Sequence, residues 1–206
     1  YAASTADVGS TLRSQVAATN SAGSGSSQSS PTPSITPPTT TGGSGIYWGA
    51  YMNGSPTYTD LYGGTWNDAP WDSNTWSTFE SHAGKKDSLV QFGVGSPWLH
   101  DFNYFLTPFN RVVSAGEIPV VSMNTKTTPL RDIALGAYDS SIRTWMQQAA
   151  AWGHPFFLIF DVEMNGSWEP YAPGQNGNTA ADYIAAWRHV HDIATQSGAS
   201  NISWVW

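Results

Sequence analysis

The residues best suited to chemistry lie in "DVEMNGSWEPY", 161 to 171, directly after the apolar run "PFFLIF". Read as one strand, "PFFLIFDVE" ends on Glu163. A carboxyl group at the mouth of an apolar strand is poorly solvated, and desolvation favours its neutral form near neutral pH. Holding a proton there is the requirement for a general acid. An isolated Glu reads better as a partner for an Arg or for a helix-terminal N–H. Glu163 is followed at once by Asn165, Gly166, Trp168 and Tyr171. Together they offer aromatic faces for stacking on sugar rings and polar groups for hydroxyls.

The other candidates are weighed against plainer roles. On a strand, Asp161 shares the side of Glu163 one layer deeper, which makes it a poor nucleophile. Glu169, next to Pro170, reads as a solvated rim carboxylate. His189 and His191 stand two apart on a helix and face different directions, so surface or packing roles are expected and a shared metal is not. His100 with Asp101 reads as a loop or helix start, with lining of a cleft as the lesser alternative. Trp66 and Trp98 fall in predicted loops, where each either lines a cleft or packs its loop; Trp98 is kept among the substrate-binding candidates. Trp204 and Trp206 alternate with Val205 and so face one way, which puts Trp206 at the mouth among the substrate-binding candidates.

Composition narrows the classes of partner. Of the 206 residues only 11% are charged and the net charge is −7, so no basic patch invites nucleic acid or an anionic membrane surface. There are no cysteines, which removes a disulfide scaffold and a Cys-based zinc site; no metal and no cofactor is expected. No apolar stretch approaches the roughly 20 residues of a membrane-spanning helix, and no membrane partner is expected. The 11 tryptophans fit core packing or, in loops, stacking on sugars. The chain opens on Tyr1 with no charged-then-apolar leader, so a removed start or a piece of something longer is expected.

The elements that must position Glu163 alternate in type. From Ser21 to Gly45 the chain is almost wholly Ser, Thr, Pro and Gly, a tether-like composition. Upstream, Leu12, Val16 and Ala18 alternate with Arg13, Gln15 and Thr19 as on a half-buried strand, with a turn signal at Asn20 to Gly23. Residues 1–30 therefore read as the C-terminal remnant of a β-sandwich, 31–45 as the linker, and 46–206 as one α/β unit.

Within that unit, strands are expected at 46–52, 88–95, 118–123, 155–163 and from 202 onward. Helices are expected from Asp72 through Trp76 and Phe79, and from a Thr107 cap to Gly116. Two more should run from Asp139 or Ser140 to Gly153, and from a Thr179 cap with Asp182 to Gly198. The apolar runs of the last two strands predict cover on both faces. A doubly wound open sheet and a partial (β/α)₈ barrel both fit, the repeat of roughly 30 residues matching a barrel of about 250.

The stretch "EMNGSWEPY" resembles the acid/base motif of glycoside hydrolase family 26, a group of retaining (β/α)₈ enzymes acting on β-mannans, β-glucans or β-1,3-xylan. "IYWGAY", "LRDIALGAYDSSIRTW" and "YIAAWRHVHDIATQSGASNISWVW" are similar to other segments of that family, in order, so the likeness covers 46–206. It implies a partial barrel of about five strands, with Glu163 as acid/base, Trp168 as a sugar platform and Tyr171 as a second aromatic. The nucleophile is expected beyond the chain end, at a seventh strand. Val162 stands where His is common, and Met123 with Asn124 where Trp and a polar residue are common. The resemblance implies a secreted, monomeric, endo-acting hydrolase of a plant-type polysaccharide, β-mannan first, as part of a bacterial modular protein. The N-terminal edge resembles the end of a bacterial immunoglobulin-like or fibronectin-like module. A non-catalytic carbohydrate-binding protein on the same scaffold is the rival reading.

Overall fold

The computed structural model describes residues 10–11, 13, 15–20, 23–32, 46–53 and 68–206. Leu12, Trp66 and most of the expected linker lie outside the described residues. The chain divides into two units, Tyr1–Ile46 and Tyr47–Trp206.

In the first unit, β1 (Gln15–Asn20) pairs antiparallel with β2 (Gly23–Gln28), in a register that sets Asn20 opposite Gly23. The strand β2 falls inside the Ser/Gly-rich run whose composition reads as tether. Backbone pairing with β1 supplies what its side chains do not, and Thr19 Oγ1 lies 2.8 Å from Ser24 Oγ across the pair. All of β2 is exposed.

The second unit is an open, parallel, five-stranded α/β sheet of partial (β/α)₈ type. Its strands are β3 (Gly49–Tyr51), β4 (Leu89–Val94), β5 (Ile118–Met123), β6 (Phe156–Phe160) and β7 (Ile202–Val205), in spatial order β3-β4-β5-β6-β7. That order decides between the two architectures left open by the sequence. Parallel strands joined by right-handed crossovers in sequential order put every connecting helix on one face, whereas a doubly wound sheet reverses direction at a switch point.

Helices α1 (Ser73–Ala83), α2 (Leu106–Ser114), α3 (Leu130–Ala134), α4 (Asp139–Trp152) and α5 (Ala180–Gln196) supply the covering layer. Phe109 of α2 packs edge-on against Phe92 of β4 and Phe156 of β6, with ring centroids 5.2 and 5.4 Å apart. Trp145 of α4 meets Phe102 at 5.0 Å. No helix among the described residues is long and apolar enough to cross a membrane.

The strands differ from expectation in a way that matters for the site. Burial alternates along β4 and β6, so one face lies under helices while Gln91, Phe157 and Ile159 on the other are half-buried. Cover on both faces is corrected: a singly wound sheet has no helical layer on its inner face. Strand β6 also ends at Phe160, three residues short, because Asp161 and Glu163 take the left-handed backbone with φ of 50° and 56°. Strand β3 is short as well, and a side chain at Gly49 would run into the Leu89 carbonyl opposite.

Side-chain caps mark the starts of α1 and α5: Asp72 accepts from Asn74 N, and Thr179 and Asp182 form the reciprocal capping box expected of them. Neither α3 nor α4 starts on such a cap; Tyr138 holds the cap position of α4, so the cap expected at Asp139 or Ser140 is corrected, both residues lying within the helix. Helix α2 has none either. A 3₁₀ turn over Phe102–Phe105, capped by Asp101 accepting from Tyr104 N, leads into it, so Thr107 lies within the helix and caps nothing.

Candidate active site

At the C-terminal ends of β3, β4 and β5, and beside the turn after β6, lies a cleft of about 580 Å³. This pole is where parallel strands deliver ligand-contacting groups. Tyr51, Trp71, Gln91, His100, Asn124 and Glu163 are among its lining residues.

Glu163 reaches the cleft by way of an anchored turn. Asp161, 1% exposed, is held from the β5 side: its two carboxylate oxygens accept from Thr125 N and Thr125 Oγ1, each at 2.7 Å. Its own N–H donates to the Met123 carbonyl at 2.9 Å. From α5, Tyr183 donates to the Phe160 carbonyl at 2.8 Å, tying off the strand. Burial raises Asp161 to about 7, against the lowering effect of the two Thr125 donors.

After Glu163 the chain turns tightly. Gly166 N donates to the Glu163 carbonyl at 2.7 Å, and Tyr171, wholly buried, closes the loop by donating to the Val162 carbonyl at 2.7 Å. The indole of Trp168 lies over Gly166 so closely that any Cβ there would meet the ring. In that pose Trp168 Nε1 donates to Glu163 Oε2 at 2.6 Å, while 73% of the residue stays exposed. The glycine of the motif thus lets a tryptophan lie flat beside the carboxylate.

Two sequence expectations change here. Glu163 is exposed, so it does not sit in an apolar surround; ending the strand at Phe160 lifts it clear of the sheet. Tyr171 is a buried loop fastener and offers no platform, because its ring points back under the turn. Of the substrate-binding candidates, Trp168 and exposed Asn165 stand beside Glu163.

Trp98 and Trp206 are placed elsewhere. Trp98 is half-buried against Tyr138 with centroids 4.2 Å apart. Trp206 packs on the helix side against Trp187 and Tyr183 of α5, at 5.1 and 5.7 Å, with Trp204 also on Trp187. The alternation along β7 was read correctly, but it aims both tryptophans at the helical layer. His191 stacks on Trp187, and His189 Nε2 lies 2.6 Å from Asp139 Oδ1 of α4, both packing roles.

Other residues line the cleft as well. Tyr51 donates to Asp68 Oδ2 at 2.7 Å. His100 stacks on Tyr104 at 4.0 Å, so the lesser alternative for it, lining the cleft, holds. Asn124 lines the cleft, and its enclosed Oδ1 has no hydrogen-bond partner. Its place after β5 was the available signal, since strand ends at this pole face ligands.

No family model matches the chain. Over 144 residues, 69% of the chain, the sequence is 30% identical to Endoglucanase H of Acetivibrio thermocellus. The chain spans 16% of that protein's length. Among solved structures, a β-mannanase from a symbiotic protist of the termite Reticulitermes speratus, complexed with gluco-manno-oligosaccharide, is similar with a TM-score of 0.47 at 14% identity. The likeness covers 70% of this chain and 53% of that one.

Proposed function

We propose that the chain belongs to a glycoside hydrolase that cleaves internal β-glycosidic bonds of a plant-type polysaccharide by a retaining mechanism, as in family 26, with Glu163 as the acid/base. The observation that carries this reading is the pairing of Glu163 with Trp168 at the rim of an aromatic-lined cleft. Trp168 presents a ring face to a sugar while its N–H fixes the carboxylate that must reach the bridging oxygen. In a retaining reaction Glu163 gives its proton to the leaving group, and a second carboxylate about 5 Å away attacks the anomeric carbon. Glu163 then takes a proton from the water that releases the sugar.

The endoglucanase relative supports a β-glucan substrate, and the resemblance of "EMNGSWEPY" to a largely mannan-acting family supports β-mannan. The test is to incubate the complete protein with β-mannan, mixed-linkage β-glucan and β-1,3-xylan, following reducing ends and the anomeric configuration of the first product by NMR. Release of internal fragments with the β configuration retained is expected from one of the first two. Binding without any bond cleavage would overturn the hydrolase reading, and an inverted first product would overturn the mechanism.

Trp168→Ala is expected to weaken binding of β-linked oligosaccharides by roughly tenfold, the worth of one stacked ring. Because the residue is 73% exposed, the melting temperature should barely change. Isothermal titration and a thermal melt on one preparation check both. Unchanged affinity with a lowered melting temperature would assign the ring to packing.

A further inference from the structure

At the opposite pole, where β4 and β5 begin, three acids arrive from separate stretches: Glu80 on α1, Asp87 ahead of β4 and Glu117 ahead of β5. One oxygen from each lies within 4.8 Å of the other two. Asp87 and Glu117 are only 4% and 5% exposed, and Glu80 is half-buried. Trp76 Nε1 donates to Asp87 Oδ1 at 3.1 Å and thereby aims Asp87 Oδ2 inward. The four remaining enclosed oxygens, Asp87 Oδ2, Glu80 Oε1 and both of Glu117, have no hydrogen-bond partner. Lys86 is near enough for its charge to be felt but makes no ion pair with them.

Enclosed carboxylate oxygens without donors are costly, several kcal/mol for each uncompensated charge. Protons shared by Asp87 with Glu80 and with Glu117 would satisfy some of these oxygens, at the cost of neutralising the acids. A single divalent ion takes all four.

We propose that Glu80, Asp87 and Glu117 bind a divalent, oxygen-seeking cation of calcium's size, which ties α1 to the starts of β4 and β5. The donor set contains only carboxylate oxygen, the chemistry of hard cations and not of zinc or copper thiolate sites. Size follows from spacing. With the three oxygens within 4.8 Å of one another, an ion among them can lie within about 2.8 Å of each, so calcium's 2.3–2.6 Å is reached with little movement, while magnesium's shorter bonds ask for at least as much contraction again. Both Glu117 oxygens are free to bind side by side, as calcium favours. No local pattern announces this site, because its ligands come from positions 80, 87 and 117, with no cysteine and no spaced histidines. It is independent of the cleft and of the reaction there.

Trp76 makes the site observable. Terbium replacing calcium beside Asp87 should luminesce when tryptophan is excited, and calcium should quench that signal by displacement. In the full chain stripped with a chelator, adding millimolar calcium should raise the melting temperature by about 5 °C. Glu117→Gln should abolish both effects while melting, in chelator, no lower than the wild type. Glu80→Gln, on a half-exposed helix position, should weaken terbium binding at least tenfold without threatening the fold. The proposal is overturned if the wild type melts alike with calcium or chelator and sensitises no terbium. It is equally overturned if both variants keep the wild-type luminescence, since the ion then lies elsewhere.

Discussion

Glu163→Ala in the complete protein should lower polysaccharide turnover by about 10²–10⁴-fold, the usual contribution of a positioned acid/base. The loss should depend on the leaving group. A sugar alkoxide needs the proton and would leave very slowly, whereas an aryloxide of low pKa needs none, so the first step on aryl glycosides should be largely spared. The covalent glycosyl-enzyme would then accumulate for want of a base to activate water. Azide needs no base, so it should speed release and yield a β-glycosyl azide.

Glu163→Gln sharpens the reading, because the amide carbonyl can still accept from Trp168 Nε1 while no proton is available to donate. If Gln is as inactive as Ala on polysaccharide with Trp168 still in place, proton transfer is what was lost. Loss of stability should be small in both variants, since Glu163 is exposed and makes one exposed side-chain bond. Equal loss for every leaving group with no response to azide would assign Glu163 to substrate positioning. Near wild-type hydrolysis would remove it from the reaction.

How far the sequence reached depended on whether a feature is local. The capping box of Thr179 and Asp182, the helix start near Asp72 and the stop at Gly153 are contests among neighbouring residues, and the structure has each where its residues predict it; the caps expected at Thr107 and at Asp139 or Ser140 are not formed, because the helices start earlier, at Leu106 and Asp139. The alternation of Trp204 and Trp206 was equally legible, but which face it served was not, because that depends on the side α5 takes. The end of β6 was misjudged for a similar reason. Nothing in "DVE" announces left-handed backbone; it is imposed by Thr125, brought from β5, and by Tyr183, from α5. The pairing of Glu163 with Trp168 is legible because only five residues separate them. Tyr51 and Asp68 could not be read, since only the tertiary fold brings them to one cleft with Glu163.

Asp161→Ala should destabilise the chain by about 3 kcal/mol, the largest stability effect expected at the site, and Asp161→Asn by far less. Truncation leaves the buried Thr125 N–H and hydroxyl without partners, which costs about 1–3 kcal/mol for each enclosed polar group. Asparagine reproduces the neutral acid: its carbonyl accepts from Thr125 N and its amide donates to the Thr125 hydroxyl. It is also the non-glycine residue, with Asp, best suited to a φ of 50°.

The pH dependence gives a second readout. Burial raises Asp161 to about 7, with Glu169 adding to the rise and Lys126 and the Thr125 donors opposing it. The folded chain therefore binds more protons than the unfolded one between about pH 4 and 7. The stability Asp161 contributes is fully present below the unfolded pKa and is lost as pH climbs through 7, with a slope of at most about 1.4 kcal/mol per pH unit. Other titrating groups also slope the curve, so the quantity to measure is wild type minus Asp161→Asn in urea melts from pH 4 to 8. That difference should move in favour of the variant as pH rises and level off above 7. A flat difference would mean that Asp161 is ionised throughout, held by Thr125 alone. Loss of the Asn variant's stability at every pH would make the negative charge itself, and not its hydrogen-bond pattern, the anchor of the Glu163 turn.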